Sequence, residues 1–136
     1  MAESGRGLRR CIEVVENPPA LILEYVDGAS LHGHLLLLKQ REVSFDPVLA
    51  LGVIAQLVDT LAYLHGQGIL HLDIIPNNVL ISQAGQVILI DFDNASWPGR
   101  LSALERGPYK AVPHYTPPEL WTREPYSDRT DSYQIG

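Results

Sequence analysis

Three polar residues have the types and spacing needed for chemistry on a metal-bound phosphate. Asp73 and Asn78 lie in one short loop with Pro76 between them, and an apolar segment follows directly. Asp91 comes at the end of a second apolar segment. Asp and Asn residues most often only form turns. Two carboxylates and an amide, each at the end of a predicted strand, nevertheless favour a site that handles phosphate.

The chain that must position this loop begins with a predicted hairpin. Cys11–Val15 is rich in β-branched residues and Leu21–Val26 is largely apolar, so both are predicted to be strands. The turn Asn17–Pro18–Pro19 joins them. Leu31–Gln40 consists mostly of good helix formers and is predicted to be a short helix.

The strongest local pattern predicts a helix over Pro47–His65. Asp46 is a suitable N-cap, Pro47 suits the first helical position, and Gly66 and Gly68 end the helix. Apolar residues recur every three or four positions, at Ala50, Ile54, Leu57, Leu61 and Leu64. Because further apolar residues flank this stripe, we expect the helix to be largely buried.

The remaining predicted elements surround and follow the loop. Ile69–Leu70 can form only a short strand before it, and the next predicted strands are Val79–Ser82 and Val87–Ile90. From Asp93 to Pro118 the apolar residues show neither helical nor strand spacing, so this stretch is predicted to be a long segment without regular structure. Such segments are usually functional or mobile. Two short helices are expected near the end, at Pro118–Trp121 and from Ser127 to Gly136.

Composition favours a single globular and soluble domain. The 136 residues are 46% hydrophobic and 19% charged, and 10 basic minus 16 acidic residues give a net charge of -6, which argues against a nucleic-acid surface. A lone cysteine, Cys11, excludes a disulfide framework and a cysteine-based zinc site. Met1–Arg10 lacks the apolar centre of a signal peptide, and no apolar run approaches the roughly 18 residues of a membrane span. We therefore expect a cytoplasmic protein without nucleic-acid or membrane partners, and the oligomeric state stays open.

Four motifs occur in an order and spacing that resemble the C-terminal lobe of eukaryotic-type protein kinases. They are His71-x-Asp73-x-x-x-x-Asn78, Asp91-Phe92, Pro118-Glu119 and Asp131-x-Tyr133-x-x-Gly136. Leu21 to Leu31 is similar to the fifth strand and hinge of that family. The resemblance implies a partial α+β kinase-like fold, in which a mainly helical lobe carries hinge strands and a small β-hairpin near the catalytic loop. It divides the chain into a frayed N-terminus (1–10), the last N-lobe strands and hinge (11–30) and the core of the C-terminal lobe (31–136).

The resemblance also implies a role for each polar residue of the loop. Asp73 would accept the proton of a substrate hydroxyl, which an ionised carboxylate at hydrogen-bond distance can do. Asn78 and Asp91 would hold magnesium ions, which prefer oxygen ligands, so Asn78 would serve both catalysis and the metal. ATP and Mg²⁺ are the implied cofactors, and a protein substrate or partner protein is the implied partner.

A second group of residues is implied to bind the adenine of ATP. Leu23 would lie at the back of the pocket, the hinge backbone from Glu24 to Val26 would bond the adenine edge, and Leu80 would lie under the ring. Other motif residues would be structural. His71 and Phe92 would pack two loops together, and Asp131 would tie the loop to the last helix. Glu119 would anchor the far end of the long segment, usually through an Arg outside this chain.

Four positions depart from the family's pattern. Leu72 stands where an Arg would read a phosphate on the activation loop, and Ile75 stands where a Lys would contact the transferred phosphoryl group. Asp93 replaces a Gly, and Val112 replaces a Thr whose hydroxyl meets the catalytic Asp. The sequence also has no Gly-rich phosphate loop and no strand lysine paired with a helix glutamate. Because the last helix begins so near Gly136, we expect the chain alone to be marginally stable.

Three functions remain open on this evidence. The first is transfer of the ATP γ-phosphate to a protein Ser or Thr hydroxyl, with impaired activity in this chain. The second is a non-catalytic module that binds a nucleotide or a partner protein, which the missing positive charges favour. The third is a small-molecule kinase of the aminoglycoside-phosphotransferase type, whose loop is similar, although the Pro118-Glu119 and Asp131-to-Gly136 motifs favour protein kinases.

Overall fold

The computed structural model describes residues 6–100, 112–122 and 124–136. The strands are β1 (Cys11–Glu16), β2 (Pro19–Leu23), β3 (Gly28–Ser30), β4 (Val79–Ser82) and β5 (Val87–Leu89). The helices are α1 (Leu31–Gln40), α2 (Pro47–Gly66), α3 (Pro118–Thr122) and α4 (Asp128–Ile135), and Pro76–Asn78 forms one 3₁₀ turn. The mixture of small sheets and helices confirms the predicted α+β class.

Two small antiparallel sheets carry the strands. β1 and β2 form the predicted hairpin, with Cys11 opposite Leu23 and Glu16 opposite Pro19. The second sheet has the order β3-β4-β5. Its β4–β5 pair sets Val79 opposite Leu89, so the residues just outside both strands meet at one end of the sheet.

The sequence pattern did not predict β3. Residues 28–30 are too few to show alternation, and Gly28 reads as a turn residue. Gly28 instead allows close approach, because a Cβ at this position would clash with the carbonyl of Ile81 in β4. β2 ends at Leu23 rather than at the predicted Val26. The predicted hinge, Glu24 to Val26, therefore lies outside any strand.

Helix α2 supplies one side of the core. Asp46 caps it as predicted, with the backbone N–H of Val48 donating to Asp46 Oδ1 at 2.7 Å, and the helix ends at Gly66. Its C-terminal half packs against the second sheet and the loop in a buried cluster of Leu57, Leu61, Leu64, Ile74, Val79, Val87 and Leu89.

The expectation that α2 is largely buried is wrong. In the N-terminal half of the helix, Val48, Leu49 and Leu51 are each more than 60% exposed. By length and composition, α2 is also the one helix in the described residues that could cross a membrane. The packing of its C-terminal half is that of a core helix.

The predicted helices near the end of the chain are present. Ser127 caps α4 in a capping box, because its Oγ accepts from Arg129 N at 3.3 Å while Thr130 Oγ1 accepts from Ser127 N at 3.1 Å. Of the aperiodic segment Asp93–Pro118, residues 101–111 lie outside the described part. Before them, Leu70 and Ser96 exchange two backbone hydrogen bonds of 2.9 Å, so the short strand predicted at Ile69–Leu70 is only an isolated bridge.

The described part of the N-terminus lies against the second sheet. The Gly7 carbonyl accepts a hydrogen bond of 2.8 Å from Leu89 N, and Leu8 bridges to Leu89. Arg10 O accepts from Glu24 N at 2.9 Å. This arrangement differs from the frayed segment expected for residues 1–10, of which residues 1–5 lie outside the described part.

Candidate active site

Asp131 in α4 fixes the backbone at the start of the loop. Its fully buried carboxylate accepts hydrogen bonds from Leu72 N at 2.7 Å, from His71 N at 2.9 Å and from His65 Nε2 at 2.8 Å. A buried carboxylate needs such donors to offset its desolvation. Asp131 therefore ties the loop to α2 and α4, as the resemblance implied.

Leu72 occupies a strained and wholly buried position. Its φ is +65°, a conformation that costs an L-residue roughly 1–2 kcal/mol. The bond from its N–H to Asp131 and the burial of its side chain offset that cost, since full burial of a leucine is worth about 1.5–3 kcal/mol. The side chain at this position thus belongs to the packing of the loop.

Gln134 is a second anchor that the sequence reading missed. Its side-chain Oε1 accepts a hydrogen bond of 3.0 Å from the backbone N–H of Ile74, and both residues are buried. Gln134 lies three positions after Asp131, on the same face of α4. That spacing is the signal that could have marked it as a residue facing the loop.

Asp73 and Asn78 form a hydrogen-bonded pair. Asn78 Nδ2 donates to the Asp73 carboxylate Oδ2 at 3.1 Å and to the Asp73 backbone carbonyl at 2.9 Å. The side chain of Asn94, which the motifs did not include, also lowers the pKa of Asp73. Burial raises the pKa of Asp73, with a smaller contribution from Asp91 in the same direction, whereas the nearby His71 and the two amides oppose this shift.

His71 joins the two motif-bearing loops. Its fully buried ring lies 4.6 Å from the Phe92 ring in an edge-to-face arrangement, which is the packing that the resemblance implied. Asp73 N donates to His71 Nδ1 at 3.3 Å, so Nε2 carries the proton that bonds the Ile90 carbonyl at 3.1 Å. Burial lowers the pKa of His71, which agrees with this neutral tautomer.

Asp91 lies beside the Asp73–Asn78 pair at the end of the sheet. Ile90 N donates to the Asn78 carbonyl at 2.9 Å, which holds the residue before Asp91 against the loop. Asp91 has a φ of +66°, is exposed, and accepts a bond of 3.3 Å from Asp93 N at its Oδ1. The structure therefore brings Asp73, Asn78 and Asp91 together.

The oxygen atoms of Asn78 and Asp91 suit a magnesium ion. Asn78 directs its Nδ2 to Asp73, which leaves its side-chain oxygen as a ligand, and the Asp91 carboxylate is exposed. No group of three His, Cys, Asp or Glu side chains in the described part of the chain could hold a metal alone. Mg²⁺ does not require one, since it is usually bound by one or two carboxylates together with phosphates and waters.

The residues implied for adenine binding do not form one pocket. Leu23 lines a cavity of about 500 Å³ with Asp91 and Phe92, whereas Glu24 and Val26 line a separate cavity of about 400 Å³. Leu80 is half-buried in β4, opposite Ser30 and Ile88.

Both backbone groups of Glu24 already have partners. Its N–H donates to Arg10 O at 2.9 Å, and its carbonyl accepts from Arg9 Nε at 3.3 Å. Its carboxylate accepts from Arg10 N at 2.9 Å. Residues of the segment before β1 therefore already bond the hinge backbone at Glu24, which the resemblance assigns to adenine.

Glu119 has a partner within the chain. Its Oε1 accepts a hydrogen bond of 2.7 Å from Thr130 Oγ1 in α4. Within α3, Trp121 Nε1 donates to the Thr116 carbonyl at 3.2 Å. These bonds join the end of the long segment to α4, so Glu119 has an anchoring contact, with Thr130 as its partner and not the expected Arg.

Comparisons with known proteins agree with this geometry. Residues 7–136 match the family model described as protein kinase domain. A fold and site of this class, matched over nearly the whole chain, mean that the chain belongs to the protein kinase family.

Several curated relatives are similar over 85% of the chain. Aurora kinase C of Mus musculus is 34% identical over 116 residues, and serine/threonine-protein kinase Sgk1 of Xenopus tropicalis is 32% identical over 119 residues. A probable inactive serine/threonine-protein kinase of Dictyostelium discoideum is 30% identical over 119 residues. The chain spans 40%, 26% and 9% of the lengths of these three relatives, respectively.

Proposed function

We propose that this chain contributes the catalytic loop of a phosphotransferase that moves the γ-phosphate of ATP to a Ser or Thr hydroxyl of a protein. The observation that carries the proposal is the convergence of Asp73, Asn78 and Asp91 at one end of the β4–β5 pair. The names of two relatives, which are serine/threonine or Aurora kinases, support the hydroxyl acceptor. We place the protein in the cytoplasm, in keeping with its composition.

Each residue of the site has a distinct role in this proposal. Asp73 orients the substrate hydroxyl and accepts its proton, and Asn78 holds Asp73 in place. The oxygen atoms of Asn78 and Asp91 hold Mg²⁺, which when bound neutralises charge on the phosphate oxygens. The raised pKa of Asp73 makes it a better proton acceptor, provided that it stays ionised at the working pH.

The adenine of ATP is proposed to lie between the hinge and β4. For Leu80 to contact one face of the ring and Leu23 to close the back of the pocket, the separate cavities lined by Leu23 and by Glu24 and Val26 must join when ATP binds. Because the backbone groups of Glu24 already bond Arg9 and Arg10, adenine must either displace the arginine side chain or bond mainly to Val26. This occupied hinge predicts weak ATP binding by the chain alone.

Transfer of labelled phosphate to a mixture of Ser- and Thr-containing peptides tests the proposal. Asp73→Asn should abolish transfer, by about 100-fold or more, because the amide cannot accept the proton. The matched control is Asp59→Asn, which changes an exposed carboxylate on α2 and should leave the transfer rate unchanged. Equal transfer by Asp73→Asn and the unaltered chain would contradict the proposal.

A non-catalytic nucleotide-binding module is the second candidate. The specific observation in its favour is the absence of a Lys or Arg among the described groups that act on Asp73. Leu72 is buried and Ile75 is apolar, so neither supplies positive charge to a transferred phosphate. Mg²⁺-dependent ATP binding without any phosphate transfer would favour this candidate.

A further inference from the structure

The cavity beside Asp91 contains two arginines that none of the sequence motifs includes. Arg9 and Arg100 line this space of about 500 Å³ together with Asp91 and Asp93. Both arginines are half-buried, and apolar side chains such as Leu23 form much of the remaining wall. The two positive and the two negative charges cancel, so a bound Mg²⁺ would leave an excess of positive charge in the cavity. Its charge therefore suits an anionic ligand that arrives with Mg²⁺.

The fold holds the backbone of Arg9 between β5 and the predicted hinge. Before Arg9, the Gly7 carbonyl accepts a hydrogen bond of 2.8 Å from Leu89 N in β5. After it, the Arg10 carbonyl accepts a hydrogen bond of 2.9 Å from Glu24 N. The backbone is thus fixed on both sides of Arg9, and its side chain begins next to the hinge.

Arg9 lies between the two cavities that bound ATP must join. It lines the cavity that holds Asp91, and its Nε donates at 3.3 Å to the carbonyl of Glu24, which lines the other cavity. Adenine at the hinge and Mg²⁺ at Asp91 would occupy these two cavities, and the ribose and phosphates of ATP connect them. The phosphates must therefore pass Arg9.

The chemistry of arginine suits this place. The guanidinium has five N–H donors in a planar fork, which can bond two phosphate oxygens at once, and the bond to the hinge uses one of these donors. Leu72 and Ile75 carry no positive charge, whereas Arg9 does. Arg100 is held elsewhere in the cavity, because its guanidinium carbon stacks 4.2 Å from the centre of the Trp97 ring.

We propose that Arg9 binds the phosphates of ATP. Adenine displaces its side chain from the Glu24 carbonyl, and the guanidinium then turns to the phosphates within the cavity that it already lines. This role rests on the proposed function, because it takes adenine at the hinge and Mg²⁺ at Asp91 as given. The alternative is that Arg9 only occupies the hinge and competes with adenine.

Three substitutions separate these two roles. Arg9→Gln removes the positive charge, and Arg9→Lys keeps the charge without the planar fork. The matched control is Arg10→Gln, which removes one positive charge from the neighbouring, exposed residue. The Nε of Arg10 lies 3.8 Å from Glu24 Oε2, so its side chain contacts the Glu24 carboxylate.

Calorimetric titration with ATP and with adenosine, each in the presence of Mg²⁺, measures the contribution of the phosphates. Phosphate binding predicts that Arg9→Gln weakens ATP binding by about tenfold or more, because a charge-assisted hydrogen bond is lost, while adenosine binds at least as tightly as it does to the unaltered chain. Arg9→Lys should regain part of the ATP affinity, and Arg10→Gln should bind both ligands as the unaltered chain does. If Arg9→Gln binds ATP as tightly as the unaltered chain, or more tightly, Arg9 is a competitor of adenine and the inference is wrong. Equal losses of ATP and adenosine affinity would also overturn it, because Arg9 would then support the hinge.

A second measurement uses the unaltered chain. In its ¹⁵N NMR spectrum, the Nε–H signal of Arg9 should move further with Mg²⁺ and ATP than with Mg²⁺ and adenosine, and equal shifts would overturn the inference. Neither measurement requires phosphate transfer. If the unaltered chain transfers no phosphate but Arg9→Gln selectively loses ATP affinity, the proposed function fails and the phosphate-binding role of Arg9 stands. If transfer is observed and Arg9→Gln binds ATP normally, the proposed function stands and the role of Arg9 fails.

Discussion

At the scale of single residues, the site depends on opposing demands on Asp73. In the proposed role the carboxylate must be ionised to accept a proton, yet its partial burial and the nearby Asp91 raise its pKa. The hydrogen bond from Asn78 favours the ionised form without adding positive charge. The sequence motifs singled out Asp73, Asn78 and Asp91, and the structure places these three residues at one end of the β4–β5 pair.

His71 provides a pH-dependent contribution to stability. Because burial lowers its pKa in the folded state, the unfolded chain binds more protons below about pH 6.5, the ordinary histidine value. The stabilisation that neutral His71 gives is therefore present above that pH and is lost as the pH falls below it. We expect the free energy of unfolding, measured with urea, to decrease from pH 7.5 to pH 5.5.

His71→Gln should make that pH dependence shallower, by at most about 1.4 kcal/mol per pH unit. His32→Gln removes an exposed histidine and is the matched control, which should keep the original slope. Equal slopes for His71→Gln and the unaltered chain would mean that His71 is not buried as a neutral ring.

At the scale of elements, α2 and α4 hold the catalytic loop from outside it. The caps and apolar periodicity of α2 predicted its bounds to within one residue, since such signals are local. The short β3 and the exposed N-terminal half of α2 were not predictable, because they depend on which other elements lie nearby. The partner of Gln134 could not be read from the sequence, since its bond to Ile74 joins residues 60 positions apart, although the spacing from Asp131 could have marked the face of α4 on which Gln134 lies.

Gln134→Leu should loosen the loop by removing this anchor. The Ile74 N–H would be left buried without an acceptor, which costs about 1–3 kcal/mol of unfolding free energy. Gln67→Leu changes an exposed glutamine after α2 and should alter stability by less than about 0.5 kcal/mol. If both variants unfold at the same urea concentration, the Gln134 side chain does not support the loop.

The uneven burial of α2 can be tested along one helix. Leu61 is 4% exposed and belongs to the core, whereas Leu51 is 66% exposed. Leu61→Ala should lower the free energy of unfolding by about 2–5 kcal/mol, and Leu51→Ala should change it by less than about 0.5 kcal/mol. Equal losses in urea unfolding would show that the N-terminal half of α2 is buried in solution.

At the scale of the whole molecule, the core is small relative to the apolar surface. Ile12, Val14 and Leu21 in the hairpin and the N-terminal half of α2 are exposed, and exposed apolar area of this kind reduces solubility. The family match covers residues 7–136, so these surfaces belong to the kinase-like fold itself. The loop before the β4–β5 pair is nevertheless held by buried bonds from α4, and α4 is in turn bonded to His65 of α2.

The most direct test of this account is calorimetric titration of the chain with ATP in the presence and absence of Mg²⁺. The proposed site predicts weak binding that requires Mg²⁺ and falls at least about tenfold in Asp91→Ala, because a magnesium ligand is lost. The matched control Asp59→Ala should bind ATP as the unaltered chain does. No binding at millimolar ATP, or equal binding by Asp91→Ala, would contradict the account.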